Sequence, residues 1–293
     1  MSVKQKDTAS PLCIAVFAHN EEYNIKRCLE SVLQATQSPE RLKITVLING
    51  CNDQTENVVK LLAKKYHQIR YTAISLGDKS NAWNTYTYGD IDLSVNHYFI
   101  DGDNWLPAFS LDKLEAEFDT KQYWGIAPTP IGIKESLREF MIRNRFISGN
   151  CYGVSGEFMN HVISNGFKLP TGFIGDDSLV MYLLQEGLEP GNVTKDIKVV
   201  ETTGAIIPRV PLSIATIGFM HRRYKRYALR HIQQEVLYYL GRNNRINELP
   251  ASIADFKSIL KEIGIKPIFV RAGIQTLYHP YAYYKIIYNR ALL

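Results

Sequence analysis

Two aspartates one residue apart, Asp101 and Asp103, form the sharpest chemical signal in the sequence. They directly follow the apolar run at residues 96–100, and Gly102 between them lets the chain bend closely around a bound group. Mg²⁺ and Mn²⁺ prefer such oxygen ligands and usually also take substrate phosphates. A surface turn is the alternative, because Asp-Gly is a common turn pair. The position directly after a buried strand favours the metal site.

Polar residues also crowd the end of the first apolar run, residues 13–18. His19, Asn20, Glu21 and Glu22 follow it directly, and a helix is expected to begin there with Asn20 as its N-cap. In this position the two glutamates would contact a nucleoside from the side. The alternative is that they only stabilise the first helical turn, where acids are favourable.

The loop after the second apolar run extends from Asn49 to Asp53 and offers amide and carboxylate groups suited to a nucleobase or ribose. The alternative is an Asn-Gly turn followed by Asp53 as a helix N-cap. There is no G-x-G-x-x-G after the first run and no G-x-x-x-x-G-K-[ST] in the chain. This argues against a dinucleotide oxidoreductase and a P-loop NTPase.

Apolar runs and helical patterns alternate along the first part of the chain, which predicts right-handed βαβ units. The expected fold is therefore α/β, with a Rossmann-like, mainly parallel sheet flanked by helices and a C-terminal helical extension. Ligands of such sheets bind beyond the carboxyl ends of the strands. Strands are predicted at residues 13–18, 43–48, 69–76 and 96–100. Helices are predicted at residues 20–35, 53–66, 80–89, 134–146, 177–186, 211–240, 253–263 and 272–290.

The charge of the chain is unevenly distributed, although its net value is only +5. Residues 205–293 hold 14 Lys and Arg against 4 Asp and Glu, which leaves 20 basic and 25 acidic residues in 1–204. The basic part is either an ordinary solvated surface or a surface that contacts phosphates of a ligand or membrane. No nucleic-acid-binding module accompanies it, so nucleic acid is not an expected partner.

The four cysteines form no C-x-x-C pair, which makes a zinc site or a disulfide scaffold an unlikely basis for the fold. Cys13 and Cys28 lie in apolar patterns and are expected to be small core residues. Residues 1–11 lack the apolar core of a signal peptide, and no run of 18 apolar residues predicts a spanning helix. The expected location is cytoplasmic, or at the inner face of a membrane.

Four segments together resemble the glycosyltransferases of family 2, an inverting group with the GT-A fold. They are CIAVFAHNEEYNIKRCLESVL, KITVLINGCNDQTENVV, GDKSNAWNTY and HYFIDGDNWLP. The resemblance covers residues 12–187, and four motifs in the right order are more specific than any one of them. It implies a nucleotide diphosphate sugar as donor, most often a UDP-sugar, with Mn²⁺ or Mg²⁺ as cofactor.

The resemblance also implies roles for single residues. Ala18 with Glu21 or Glu22 would border the nucleobase and ribose, in the loop that also holds Asn20, and Asn49 would lie beside the base. The family usually has Asp at that last position, so the identity of the base stays open.

Further residues take implied roles toward the nucleotide and the metal. Asp53 keeps the acid later in the second loop, and Lys79 and Asn81 would approach the nucleotide, although Lys79 also fits a solvated loop charge. Asp101 would face ribose and metal, and Asp103 would bind the metal directly.

The segment TGFIGDD at residues 171–177 resembles the acidic pair whose aspartate is the catalytic base of the family. An inverting transferase needs one carboxylate to take the proton of the acceptor hydroxyl. Direct alignment of the pair makes Asp177 the base, whereas alignment on Gly187 makes it Asp176, and Asp177 is preferred. The alternative is that both acids only cap a helix. The segment at residues 150–156 resembles the acceptor side of the family, or is a plain glycine-rich turn.

Arg222, Arg223 and Arg226 lie where processive relatives carry a Gln/Arg-x-x-Arg-Trp signature, but the Trp is missing. Processive polymerisation is therefore not expected. The guanidinium groups could still bind the donor diphosphate, or lie on an exposed helix face.

We expect a catalytic domain at residues 1–204 and a basic helical region at 205–293, which holds nine of the eighteen tyrosines. This region would contact the acceptor or a membrane surface, with apolar or tyrosine-rich segments at 209–220 and 278–293. The acceptor, a glycan, a lipid-linked sugar or a small molecule, stays unknown. The alternatives are a nucleotidyltransferase, which would need a glycine-rich basic loop after the first strand, and a catalytically silent binding module.

Overall fold

A computed structural model describes residues 10–188, 195–201, 216–264 and 277–288, except for the side chains of 216–219 and 222. The described chain forms two compact units. The first contains residues 10–77, 85–166 and 195–201, and the second contains 78–84, 167–188, 216–264 and 277–288. Residues 78–84 and 167–188 belong to the second unit although they precede the predicted boundary at residue 204. That boundary as a functional division stays a prediction.

Within the first unit, the described strands form one seven-stranded sheet in the order β3-β2-β1-β4-β6-β5-β7. All neighbours are parallel except β6, which is antiparallel to β4 and β5. The predicted mainly parallel α/β sheet is confirmed. The strands are β1 Leu12–Ala18, β2 Leu42–Asn49, β3 Ile69–Ile74, β4 His97–Asp101, β5 Tyr123–Pro128, β6 Cys151–Val154 and β7 Asp196–Val200.

The strand β1 lies inside this sheet, between β2 and β4, and all seven of its residues are buried. Such a continuous apolar run is typical of a parallel strand that is covered on both faces. In the register, Phe17 pairs with Asp101 of β4 and Ala18 with Ile48 of β2. The carboxyl ends of β1, β2 and β4 therefore lie at the same edge of the sheet.

Six helices connect the strands or flank them among the described residues up to 164. They are α1 Ile25–Gln34, α2 Thr55–Lys65, α3 Lys79–Thr87, α4 Ser110–Glu117, α5 Glu135–Asn144 and α6 Gly156–Ser164. The helix α1 buries Ile25, Cys28, Leu29 and Val32, whose spacing places them on one face. For α4 and α6 the sequence predicts no helix. Ser155 starts α6 as an N-cap, because its hydroxyl accepts from Phe158 N–H at 3.1 Å.

The first helix begins later than predicted. Asn20 is not its N-cap, because Asn20 adopts the left-handed conformation at φ 57° and α1 begins at Ile25. The Asn20 side chain instead accepts a hydrogen bond from Asn52 N–H at 2.9 Å. Asparagine tolerates the left-handed conformation better than most residues. Asn20 therefore suits a turn in this loop rather than the start of the helix.

The second unit contains α7 Asp176–Glu186, α8 Thr216–Arg242, α9 Lys257–Ile263 and α10 His279–Ile287 among its described residues. The helix α8 packs against α10, and the rings of His231 and His279 stack with centroids 4.8 Å apart. The predicted C-terminal helical extension is therefore present. Parts of the predicted helices at 211–240 and 272–290 lie outside the described residues, and no helix within the described part is long and apolar enough to cross a membrane.

All four cysteines are free thiols, and Cys13, Cys28 and Cys151 are buried. The expected core positions of Cys13 and Cys28 are confirmed. Burial, followed by the charge of Asp101, raises the pKa of the Cys151 thiol to about 12. At neutral pH this thiol stays protonated, and it is a weak nucleophile for that reason.

Two glycines with positive φ allow a matched stability test. A Cβ on Gly50 (φ 60°) would lie 2.4 Å from the Gly77 Cα atom, whereas at Gly132 (φ 82°) no described atom lies within 4 Å. Gly132→Ala should lower the free energy of unfolding by about 1 kcal/mol, through backbone strain alone. Gly50→Ala should lose about 1–3 kcal/mol more, because the backbone must also move. Urea unfolding of both variants measures the difference, and equal losses would contradict this packing.

Candidate active site

The loops after β1 and β2 are tied together at the carboxyl edge of the sheet. His19 Nδ1 lies 2.6 Å from the Asn49 carbonyl oxygen, and Glu21 N–H donates to Thr55 Oγ1 at 2.7 Å. The thiol of Cys51 donates to the carbonyl of Ala18 at 3.4 Å. These bonds fix the backbone of both loops, which the sequence predicts to border a nucleoside.

Asp53 joins the same two loops. Its carboxylate accepts from Glu22 N–H at 3.1 Å and from Thr55 N–H at 3.0 Å, directly before α2. Burial opposes the charged carboxylate, but the hydrogen bonds from Thr55 and Glu22 outweigh it and lower the pKa of Asp53. The N-cap of α2 is Gln54 rather than Asp53, although the Asp53 carboxylate still accepts from the first N–H of that helix. A contact with the nucleotide stays a prediction for Glu22 and Asp53.

Gly102 brings the aspartate pair close to the end of β1. Its N–H donates to the Phe17 carbonyl at 2.8 Å, and a Cβ on Gly102 would lie 2.9 Å from that same oxygen. Any larger residue would push Asp101 and Asp103 away from the end of β1. The glycine between the two acids is therefore required by packing as well as by the bend of the chain.

The carboxylate of Asp103 is oriented by a side-chain relay that the sequence analysis missed. Asn104 is buried, and its Nδ2 donates to Asp103 Oδ1 at 2.8 Å. Its Oδ1 in turn accepts from Asn150 Nδ2 at 3.2 Å, and Asn150 also hydrogen-bonds the Ser148 hydroxyl. Asn104 directly follows the aspartate pair in sequence, so a contact between them could be predicted from the sequence. Asn150 is 46 residues further on, so only the fold brings it there.

Negative charge is concentrated at this edge. The pKa of Glu21 is raised, first by burial and then by the charges of Asp103, Asp101 and Asp53, against a hydrogen bond from Asn24. Glu21 and the aspartate pair therefore lie within electrostatic reach of one another. A bound cation would relieve this repulsion.

A divalent cation fits this edge if a bound substrate supplies part of its coordination. Among the described residues, no three His, Cys, Asp or Glu side chains are grouped as a metal site. Mg²⁺ and similar ions are commonly held by one or two carboxylates together with substrate phosphates. Asp101 and Asp103 match that donor set, with the phosphates supplied by a ligand.

The second acid pair lies at the start of α7, in the second unit, and a cation accompanies each acid. Lys79 Nζ lies 3.3 Å from Asp176 Oδ2, and Arg230 Nη2 lies 3.4 Å from Asp177 Oδ1. Lys79 is therefore not a solvated loop charge. The side chain of Asp176 is 9% exposed and that of Asp177 is 15% exposed. Both acids are largely shielded from water, and Asp177 is the more accessible.

The loop before α7 is held by two buried polar side chains that the sequence analysis missed. Gln233 is fully buried, and its Oε1 accepts from Ile174 N–H at 2.6 Å while its Nε2 donates to the Gly172 carbonyl at 3.1 Å. The Asp78 carboxylate accepts from Gly172 N–H and from Asn81 N–H, which caps α3. The sequence can predict Asp78 as a helix cap, because it precedes a helical pattern. It cannot predict the contact of Asp78 with Gly172, which lies 94 residues further along the chain.

Other predicted site residues have structural partners of their own. Arg223 is exposed and donates to the Tyr227 hydroxyl at 2.7 Å, Arg226 is exposed, and the side chain of Arg222 lies outside the described residues. Their role toward a diphosphate stays a prediction, as does the approach of Asn81 to a nucleotide. Arg230, which was not predicted, is the guanidinium that contacts the acid pair.

The glycines of the segment at residues 150–156 have a packing reason. A Cβ on Gly153 would lie 2.7 Å from the side chains of Ile126 and Tyr98, and one on Gly156 would lie 2.0 Å from the Leu93 carbonyl oxygen. Close packing therefore requires both glycines, Gly153 in the sheet and Gly156 at the start of α6. An acceptor contact in this segment stays a prediction.

Comparison with solved structures finds a similar fold in two proteins solved with nucleotide sugars. The mannosyltransferase PcManGT from Pyrobaculum calidifontis, in complex with GDP-Man and Mn²⁺, matches with a TM-score of 0.63 and 14% identity over 97% of this chain and 89% of that chain. S. aureus TarS 1–349, in complex with UDP-GlcNAc, matches with a TM-score of 0.55 and 13% identity over 95% and 89%. The likeness in fold agrees with the expected GT-A architecture.

No curated protein matches the chain. The family model described as glycosyl transferase family 2 matches residues 13–182, which is more than half of the chain and includes the strand-end loops and both acid pairs. The resemblance of the four sequence segments is thereby confirmed. The chain belongs to glycosyltransferase family 2, and the protein is a glycosyltransferase.

Proposed function

We propose that this glycosyltransferase moves a sugar, with inversion, from a nucleotide diphosphate sugar to an acceptor hydroxyl, assisted by Mn²⁺ or Mg²⁺. The observation that carries the proposal is the concentration of negative charge from Glu21, Asp101 and Asp103 at the carboxyl edge of the parallel sheet. Acids held together against their mutual repulsion are suited to a cation and its diphosphate. A UDP-sugar is the first donor to test and a GDP-sugar the second, since the similar structures hold UDP-GlcNAc and GDP-Man.

In this proposal the residues of the carboxyl edge hold the donor. Asp103 and Asp101 would hold the cation, which would supply positive charge to offset the charge on the leaving diphosphate. The loops after β1 and β2 enclose the nucleoside, and Lys79 supplies a cation toward the phosphates. The nucleoside-binding residues are Ala18, Asn20, Glu21, Glu22, Asn49, Asp53 and Asn81.

Asp177 takes the proton of the acceptor hydroxyl as that oxygen attacks the anomeric carbon. Its greater exposure supports this choice over Asp176, because a general base must reach the acceptor. Arg230 donates to Asp177 and, at 2.7 Å, to the Ser178 hydroxyl, and so holds the carboxylate in one orientation. Arg230 is a positioning residue in this assignment.

The acceptor is a glycan, a lipid-linked sugar or a small molecule. A peripheral contact with a membrane is part of the proposal and favours the lipid-linked class. Hydrolysis of a panel of nucleotide sugars, with Mn²⁺ and with a chelator, tests the donor class and the need for metal. Donor binding without turnover of any kind would favour a catalytically silent binding module instead.

Asp103→Ala tests the metal assignment. The variant should weaken Mn²⁺-dependent donor binding by about tenfold or more, because it loses a direct ligand. Asp90→Ala removes an exposed carboxylate elsewhere in the same unit and should bind the donor as the wild type does. Calorimetric titration of both variants, with and without Mn²⁺, makes the comparison. Unchanged Mn²⁺-dependent binding in Asp103→Ala would exclude it as a ligand.

Asn104→Leu tests the relay behind Asp103. The substitution keeps the branched shape of the side chain but removes the amide nitrogen and oxygen, so the carboxylate loses its orienting donor. We expect Mn²⁺ affinity in the presence of donor to fall by roughly 10- to 100-fold, as for other residues that orient a ligand. If affinity stays within twofold of the wild type in a folded variant, the relay has no part in metal binding.

Asp177→Asn and Asp176→Asn distinguish the two candidate bases. Asp177→Asn should leave donor binding intact and lower the rate of transfer by a factor on the order of 10² or more. Asp176→Asn should lower the rate less, because it keeps the base and loses only its pairing with Lys79. Transfer rates and donor affinities of the two variants are measured side by side. The opposite order of the two rates would assign the base to Asp176.

A further inference from the structure

The outward side of α10 carries tyrosines where a surface helix normally carries charged residues. Its buried residues are His279, Ala282 and Ile286. On the opposite side, Tyr281, Tyr284 and Tyr288 are 38%, 47% and 63% exposed. Large rings at this spacing form a continuous amphipathic strip, with apolar bodies and polar hydroxyl tips. An exposed strip of this kind is typical of a binding surface.

Lysines from both helices border this strip. Lys225 Nζ of α8 lies 4.6 Å from the centre of the Tyr281 ring, and Lys285 Nζ of α10 lies 5.6 Å from the same ring. These cation–π contacts join the two helices into one surface. We call it the tyrosine–lysine surface, and its residues are Lys225, Tyr281, Tyr284, Lys285 and Tyr288.

Positive charge predominates around the tyrosine–lysine surface. Residues 220–234 of α8 include five Lys and Arg and no Asp or Glu, the acid of α8 is Glu235, and α10 has Lys285 but no acid. An ordinary solvated helix mixes both signs of charge more evenly. A surface with this excess of positive charge attracts an anionic partner and repels a cationic one.

We propose that the tyrosine–lysine surface docks on a bilayer that contains anionic lipid. Tyrosine rings are favourable at headgroup depth, where the ring is apolar and the hydroxyl is hydrated. Lysines beside them attract anionic headgroups. A soluble polyanion would need the cations but not the exposed rings. The tyrosine–lysine surface would make the membrane contact that the proposed function includes. The lipid-linked class of acceptor rests on that proposed function, but docking on a bilayer needs no sugar transfer.

Vesicle sedimentation of the whole protein tests the lysines. Binding should be strong to vesicles that mix phosphatidylglycerol with phosphatidylcholine, weak to phosphatidylcholine alone, and reduced by salt. Lys225→Gln/Lys285→Gln should lower the partition coefficient about fivefold per lysine, or about 25-fold together. The control Lys64→Gln/Lys113→Gln removes the same charge from exposed positions of the first unit and should bind within twofold of the wild type.

A second pair of variants tests the rings. Tyr284→Ser/Tyr288→Ser should lower vesicle binding by about tenfold, because the buried aromatic area is lost. Tyr71→Ser/Tyr88→Ser makes the same change at exposed tyrosines of the first unit and should have no effect. Equal binding to both kinds of vesicle, or wild-type binding by the ring variant, would overturn the proposal. The latter result would indicate a general attraction to polyanions.

The two proposals fail separately. Donor hydrolysis is measured without vesicles on the same preparations, since no residue of the tyrosine–lysine surface is assigned to the donor or the base. Hydrolysis without vesicle binding would overturn the docking surface alone. Vesicle binding without hydrolysis of any donor would leave the docking surface and contradict the proposed reaction.

Discussion

The carboxylates at the end of β1, β2 and β4 repel one another, and the fold holds them together. Burial and the neighbouring aspartates raise the pKa of Glu21, because both make ionisation of its carboxyl group unfavourable. The backbone leaves little freedom to relax, because Gly102 is hydrogen-bonded to Phe17 and has no room for a side chain. A site that keeps such repulsion in the free protein gains most from a cationic ligand. The metal and the diphosphate of the proposed reaction are both suited to this constraint.

The acids of the second unit each lie beside a basic side chain. Asp176 and Asp177 each have a cation within 3.4 Å, and the loop before them is held by the buried Gln233. Buried polar groups are costly unless they are hydrogen-bonded, so this loop has few alternative conformations. A general base needs that kind of fixed orientation, so this environment suits the role proposed for Asp177.

The predicted strands agree with the structure because buried parallel strands are short, continuous apolar runs. The ends of β1, β2 and β4 each lie within one residue of the predicted ends at 13–18, 43–48 and 96–100. Asn20 was misplaced because asparagine is favourable both as an N-cap and in the left-handed conformation, and local sequence does not separate the two. The helices α4 and α6 are only eight and nine residues long, so their periodic patterns are brief and easily overlooked.

The order of the motifs along the chain was sufficient to determine the family, the parallel sheet and the edge where its loops meet, because strand direction alone brings those loops together. It also predicted both acid pairs as the chemical centres. Which groups surround them depended on the tertiary structure: Asn150 beside Asn104, Arg230 beside Asp177 and Gln233 beside Gly172 are each separated by 46 to 61 residues in sequence. A hydrogen bond or an ion pair acts over about 3 Å, and sequence spacing gives no such distance across separate elements. The tyrosines of α10 show the same limit, since their number can be read from the sequence but only packing decides which of them face outward.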